Sequence, residues 1–95
     1  MVKLFDWNKD KNHLLKDQRG ICFEEVQNGF ESGDIIDVIE NPNKKKYPNQ
    51  RMFVFVKENY VYLVPFVEDN EKLFLKTIFP SRKLTKKYLF TGKSK

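Results

Sequence analysis

Two apolar segments separated by only two residues constrain the fold of this chain most strongly. Residues 51–57 and 60–66 are apolar at every interior position, so both faces of an extended chain would be apolar. Strands of this kind suit the centre of a sheet. Glu58-Asn59 between them has the length of a two-residue hairpin turn. The sequence therefore predicts an antiparallel hairpin of two central strands.

Helix and strand patterns on either side of the hairpin predict an α+β fold. Asn8 is a good N-cap for a helix over residues 9–19 that ends at Gly20, and a second helix over 23–32 ends at Gly33. We expect these two helices and one C-terminal helix to pack on one face of a mostly antiparallel, four- to five-stranded sheet, leaving the other face for a partner. The remaining predicted elements are strands over 3–7, 34–40 and 71–78, a loop over 41–50, and a helix over 82–90 capped by Ser81.

The length of 95 residues suffices for one compact domain. We expect this domain to span residues 1–95, with 91–95 as a frayed tail. At this size an active site must be a shallow surface groove rather than a deep pocket.

Charge is distributed unevenly along the chain. The formal net charge is +5, and residues 1–47 carry −1 whereas residues 48–95 carry +6. A segment with basic residues and no acidic ones favours a polyanion such as nucleic acid, although a solvated helix with a lysine tail has the same composition. The basic residues after position 75, where the chain has no Asp or Glu, are Lys76, Arg82, Lys83, Lys86, Lys87, Lys93 and Lys95.

A single cysteine limits the available chemistry. Because Cys22 is alone, the chain can form neither an internal disulfide nor a multi-cysteine zinc site, and we expect no metal or other cofactor. The first residues have no apolar stretch long enough for a signal peptide, and no later segment approaches a membrane span. These features predict a cytoplasmic protein.

The basic residues predict a groove that could hold a phosphodiester. Lys72 and Lys76 would share one strand face, and the cations of the last helix, from Arg82 to Lys87, would lie beside them. RNA supplies its own nucleophile, the 2′-hydroxyl, so a small protein needs only to align it, stabilise the developing negative charge and assist proton transfer. This route needs no metal.

Other candidate residues have competing interpretations. His13, the single histidine, lies on the polar side of the first helix and is better explained as a surface residue. Cys22 starts the second helix, where thiol pKa values can fall, but no histidine neighbours it. Arg51 opens a central strand as either a salt-bridge residue or a phosphate ligand. Lys44-Lys45-Lys46 is either a solvated loop or a contact to nucleic acid.

Three short stretches resemble the BrnT family of bacterial toxins, whose small fold is similar to that of the RelE ribonucleases. The first places an aromatic, an acidic residue, Trp and Asn before a Lys-bearing helix. The second is similar to a Gly-Val-Ser-Phe-Glu-Glu-Ala helix start, and the third resembles an Ile-Ser-Ala-Arg-Lys-Ala-Thr stretch. In this chain they read FDWN at 5–8, GICFEEV at 20–26 and IFPSRKLT at 78–85.

This resemblance implies an RNA-cleaving toxin that an antitoxin encoded beside it holds inactive. It implies that Arg82 and Lys76 stabilise the scissile phosphate and that Arg51 assists them. The chain departs from the family pattern at Arg19, Cys22 and Pro80. The residues expected to bind RNA are Lys72, Lys83, Lys86, Lys87 and Tyr88.

Two alternatives remain open at this point. One is a module that binds nucleic acid without cleaving it. The other is a protein-interaction domain whose basic C-terminal helix contacts an acidic partner.

Overall fold

The computed structural model describes residues 4–90, including the backbone but not the side chain of Phe90. The predicted tail at 91–95, with Lys93 and Lys95, and the start of the first predicted strand lie outside the described residues. We refer to α3 and the π-helical segment that continues it as the C-terminal helix. In chain order the elements are β1 (Leu4–Trp7), α1 (Lys9–Arg19), α2 (Phe23–Ser32), β2 (Ile35–Glu40), β3 (Arg51–Lys57), β4 (Tyr60–Glu68), β5 (Lys72–Leu75), β6 (Phe79–Pro80), α3 (Arg82–Thr85) and the π-helical segment (Lys86–Phe90).

Both N-terminal helices have the predicted bounds. The Asn8 side chain accepts a hydrogen bond of 2.9 Å from the Lys11 N–H, as expected of an N-cap, and Gly20 ends α1 with φ of 67°. Cys22 supplies no side-chain cap to α2. Instead, the Asn12 amide oxygen, on α1, accepts a hydrogen bond of 2.7 Å from the Phe23 N–H. One helix therefore caps the next.

The six strands form one mixed sheet in the order β1-β5-β4-β3-β2, and β6 also pairs with β4. The central hairpin is confirmed, with Lys57 opposite Tyr60 and positive φ values of 52° and 64° at Glu58 and Asn59, as a type I′ turn requires. β1 runs parallel to β5, and the other pairings are antiparallel. The α+β prediction is thus confirmed, with β6 as an additional short strand.

The predicted strand over 71–78 is too long. Pairing with β4 stops at Leu75, and the chain rejoins β4 at Phe79. Pro65 of β4 has no N–H to donate at this point, although its carbonyl accepts a hydrogen bond of 2.8 Å from the Lys76 N–H. Residues 76–78 therefore interrupt the ladder between β5 and β6.

The first face of the sheet packs against α1 and α2. Its centre includes the stacked rings of Phe53 and Phe66, whose centroids lie 4.0 Å apart. Trp7 of β1 stacks on Phe23 of α2 at 5.6 Å. The buried residues of this core are Leu15, Ile21, Phe23, Val26, Phe53, Phe55, Val64, Phe66, Leu75 and Ile78.

The expectation that all three helices pack on one face and leave the other for a partner was wrong, because the second face is partly covered by the C-terminal helix. The C-terminal helix lies on this face because Leu84, Tyr88 and Leu89 pack on a second buried cluster. That cluster consists of Met52, Val54, Val61 and Leu63. The central hairpin needs cover on both sides because its strands are apolar on both faces. No described helix is long and apolar enough to cross a membrane.

Candidate nucleic-acid interface

Two hydrogen bonds hold the start of the C-terminal helix on β4, and two more close the first turn of the helix. The Ser81 hydroxyl caps the helix by accepting from the Leu84 N–H at 3.2 Å, and the Ser81 N–H donates to the Val61 carbonyl at 2.9 Å. The buried Thr85 hydroxyl accepts from the Val61 N–H at 2.9 Å and donates to the Ser81 carbonyl at 2.7 Å. The backbone of Arg82 is therefore held firmly, while its side chain is exposed.

Lys76 is held at the interruption between β5 and β6. Its backbone N–H donates a hydrogen bond to the Pro65 carbonyl. Ile78, two residues further along the chain, is buried in the first-face core. The Arg19 guanidinium, from the end of α1, donates to the Ile78 carbonyl at 2.6 Å. The Lys76 ammonium lies 5.3 Å from the ring centroid of Phe74, which points to the second face by alternation from Leu75 and Leu73. Lys76 and the C-terminal helix are thus on the same side of the sheet.

Lys72 also points to the second face but has an acidic neighbour. Its ammonium lies 3.3 Å from an Asp6 carboxylate oxygen across the β1–β5 pair. Both side chains are close to half exposed, so water weakens this ion pair. Lys72 therefore contributes less to the positive field than Lys76 does.

The cations of the C-terminal helix form its outer side. All four side chains are exposed, as the helical wheel predicts. Arg82 and Lys83 make no hydrogen bond or ion pair with any side chain in residues 4–90. The full set is Arg82, Lys83, Lys86 and Lys87.

Arg51 lies on the other side of the sheet from these residues. It shares the first face with Phe53 by strand alternation, forms an ion pair with Glu68 and lies 5.4 Å from the Phe66 ring centroid. The structure therefore places Lys76 and the helix cations on one side of the sheet and Arg51 on the other.

Tyr88 serves to dock the helix rather than to present an open ring. Its hydroxyl donates a hydrogen bond of 2.7 Å to Asp37 of β2, and its ring packs on the second-face cluster. This hydrogen bond, together with burial, raises the pKa of Tyr88 above its ordinary value. The same bond, the Val38 N–H and the nearby Lys87 lower the pKa of Asp37. Tyr88 is thus a neutral donor at physiological pH.

A groove on the second face contains residues that the sequence analysis did not single out. Its volume is about 360 Å³, and Lys76 stands at its wall. Tyr47 is exposed in the loop between β2 and β3, and the Lys46 ammonium lies 5.4 Å from its ring centroid. The only feature of the sequence that could have indicated this part of the site is an aromatic residue, Tyr47, directly after three lysines. The groove is lined by Asn41, Tyr47, Gln50, Met52, Pro65, Lys76, Thr77 and Phe79.

The other reactive residue types lie away from this groove. His13 is exposed on α1, which packs on the first face. Burial raises the pKa of the Cys22 thiol, and the carboxylates of Glu24 and Glu25 add to the effect, so the thiol is less nucleophilic. Within residues 4–90, no group of three His, Cys, Asp or Glu side chains is arranged to hold a metal ion.

The described surface therefore combines a groove with an aromatic wall and, on the same face of the sheet, the cations of the C-terminal helix. This arrangement suits an extended polyanion whose flat groups can stack. Comparison with protein-family models, curated proteins and solved structures found no match to the chain.

Proposed function

We propose that this chain is a metal-independent endoribonuclease and the toxin of a bacterial toxin–antitoxin pair, acting in the cytoplasm, as its resemblance to the BrnT family implies. One observation carries the proposal. Lys76, Arg82 and Lys83 lie on one side of the sheet with no carboxylate partner among residues 4–90. Cations without partners attract phosphate more strongly than cations in ion pairs, whose charge is already compensated.

Lys76 and Arg82 are the residues that would act on the scissile phosphate. The RNA 2′-oxygen attacks phosphorus, the bond from phosphorus to the 5′-oxygen breaks, and the products carry a 2′,3′-cyclic phosphate and a 5′-hydroxyl. The 2′-hydroxyl loses its proton to water, and the departing 5′-oxygen takes up a proton from water. The Arg82 guanidinium can hold two phosphate oxygens, and the Lys76 ammonium adds a point charge as negative charge develops. These side chains supply the positive charge without a metal.

The remaining cations would hold the RNA backbone. Lys83, Lys86 and Lys87 extend the positive surface along the C-terminal helix, and Lys72 extends it across β5. Contacts of this kind position a strand without reading its sequence. The antitoxin would be a protein with an acidic surface that covers the same cations and excludes RNA.

A second candidate function is RNA binding without cleavage. The position of His13 favours it, because the single histidine of the chain lies on α1 and not at the groove. A histidine is the commonest general acid or base, so its absence from the groove leaves proton transfer to water. A binder would need only the cations and the aromatic wall.

One experiment separates these candidates. Purified protein is incubated with end-labelled RNA in excess EDTA, and products are analysed for a 2′,3′-cyclic phosphate. We expect cleavage by the parent protein, a loss of about 100-fold or more in rate for Arg82→Ala, and a smaller loss for Lys76→Ala. Lys9→Ala, which removes an exposed lysine from α1, is the matched control and should cleave normally.

The possible outcomes point to different functions. RNA retention in a gel without product would favour the binding module. Full activity of Arg82→Ala would remove the assignment of Arg82, and neither binding nor cleavage would leave the protein-interaction domain as the better explanation. Growth arrest on expression of the parent in a bacterial host, but not of Arg82→Ala, would support the toxin role.

A further inference from the structure

We propose that the second-face groove binds one unpaired nucleobase of the RNA and prefers guanine. The inference rests on the proposed function, because it names the substrate feature that the same surface selects. The groove volume of about 360 Å³ is at the lower end of the range for small-ligand sites, which suits a single base better than a base pair. Its position beside Lys76 would place the base next to the scissile phosphate.

Tyr47 provides the surface on which a base can stack. Its side chain is 37% exposed, and it lines the groove from the loop between β2 and β3. The Tyr47 N–H donates to the Asn43 carbonyl at 2.9 Å, and its carbonyl accepts from the Gln50 N–H at 3.3 Å. These bonds fix the backbone of the turn that carries the ring, and Lys46 adds positive charge at the ring face. Aromatic stacking of this kind is the usual way in which proteins bind unpaired bases.

Two side chains of the groove, those of Gln50 and Lys76, present hydrogen-bond donors. The Asn41 amide nitrogen donates a hydrogen bond of 2.7 Å to the Gln50 amide oxygen, and this bond orients the Gln50 side chain. The Asn41 amide oxygen is in turn occupied by the Asn43 N–H at 2.9 Å. The Gln50 amide nitrogen and the Lys76 ammonium are left as donors with no hydrogen-bond acceptor in residues 4–90.

Guanine is the base whose edge matches two donors. Its O6 and N7 atoms are adjacent acceptors, and Lys or Arg is the usual partner of this pair. Adenine places its N6 amino group where guanine has O6, and cytosine presents its N4 amino group. Either amino group would face the Gln50 amide nitrogen or the Lys76 ammonium, donor against donor. Uracil has acceptors but no adjacent pair, so its fit is intermediate.

The test measures binding to short RNAs that differ in one base. Labelled uridine pentamers with G, A, C or 7-deazaguanine at the centre carry 2′-O-methyl groups throughout, so they bind without being cleaved. We expect the central G to bind about fivefold or more tighter than A or C, and 7-deazaguanine, which lacks N7, to lose most of that advantage.

Two variants test the roles of the groove residues. Gln50→Glu keeps the oxygen that accepts from Asn41 but replaces the donor by a second oxygen, so the preference for G should disappear or reverse. Tyr47→Ala should weaken binding of every pentamer about fivefold or more, whereas Tyr47→Phe should bind normally. Gln18→Glu on α1 makes the same charge change on an exposed helix and should keep the preference.

The outcomes distinguish this inference from the function on which it rests. Equal affinity for the four pentamers, with salt-sensitive binding and RNA cleavage intact, would overturn the guanine preference and leave the proposed function standing. An unchanged preference in Gln50→Glu would likewise remove Gln50 as the recognising residue. Absence of any RNA binding would overturn both.

Discussion

Gly29 of α2 lies so close to β3 that there is no room for a larger side chain. A Cβ built at this position would lie 2.5 Å from the Phe55 Cε1 atom and 3.3 Å from the Asp34 Cβ atom. Phe55 is only 3% exposed and is held in the first-face core, so its ring cannot move away without disturbing other side chains. The absence of a side chain on Gly29 lets α2 approach β3.

Gly29→Ala should therefore destabilise the protein even though alanine favours helix. We expect the free energy of unfolding to fall by up to about 2 kcal/mol, because crowding a packed core costs roughly 1–3 kcal/mol and the helix preference of alanine recovers about 1 kcal/mol. Urea titration followed by circular dichroism measures the change. Asn28→Ala, at the neighbouring exposed position, is the control and should be neutral or slightly stabilising. A Gly29→Ala protein more stable than its parent would contradict the close approach.

The bond between Tyr88 and Asp37 predicts how stability depends on pH. Because the folded state raises the pKa of Tyr88, its contribution is complete below the ordinary value of 10.0 and is lost as pH rises through the folded pKa. Asp37 behaves in the opposite sense. Its folded pKa is lowered, so its contribution is complete above the ordinary value of 3.8 and is lost as pH falls through the folded pKa.

Tyr88→Phe keeps the packed ring and removes the hydroxyl. We expect this variant to unfold at a lower temperature than the parent at pH 7, and the difference between the two to shrink above pH 10 and at strongly acid pH. Thermal unfolding from pH 2 to pH 11 measures both effects. A non-zero difference that stayed constant across this range would show that ionisation of Tyr88 and Asp37 does not affect the stabilisation. Equal unfolding temperatures at pH 7 would show that the hydroxyl does not stabilise the folded state.

At the scale of elements, local sequence patterns predicted where the two N-terminal helices begin and end but not where β5 ends. Asn8, Gly20 and Gly33 mark helix ends by their own side-chain or backbone chemistry, so a single sequence suffices to place them. The break after Leu75 depends instead on Pro65 in the neighbouring strand, which no local pattern of residues 71–78 contains. The cap that Asn12 gives to α2 likewise depends on how two helices meet.

The attachment of the C-terminal helix is tested at Thr85. Thr85→Val preserves the shape of the side chain but leaves the buried Val61 N–H without its acceptor, which costs about 1–3 kcal/mol. We expect denaturant unfolding to show a loss in this range. Thr85→Ser keeps the hydroxyl and should lose less. If Thr85→Val were as stable as Thr85→Ser, the hydrogen bond to β4 would not be what holds the helix.

At the scale of the molecule, part of the site could be predicted because it follows from periodicity. Strand alternation and the helical wheel put Lys76 and the helix cations on surfaces that the fold then brings to one side. Periodicity gave no information on Arg51, whose face depends on which side α1 and α2 cover. Nor could it predict Tyr47 and Gln50, since the loop that carries them has no repeating pattern and closes through the bond between Asn41 and Gln50.

The salt dependence of RNA binding tests the combined positive surface. If Lys76, Arg82 and the four lysines that would hold the RNA backbone each contact one phosphate, the log of the binding constant should fall with the log of salt concentration with a slope of about −4.2, at about −0.7 per contact. Each single change to alanine should reduce the slope by about 0.7. Lys9→Ala should leave it unchanged. A slope near zero would argue against phosphate contacts.

The parallel pairing of β1 with β5 also affects how the chain is made. The first strand leaves the ribosome without the strand that it will lie beside, and roughly 65 residues must follow. At about 5–20 residues per second that interval is on the order of several seconds, and contacts between distant segments slow folding further. During this time Phe5 and Trp7 cannot pack against the complete first-face core, because β5 has not yet been made. β1 can then pair with β5 of a second copy of the chain before its own β5 is available. Exchange of β1 between two copies is therefore the form of misassembly that this topology favours.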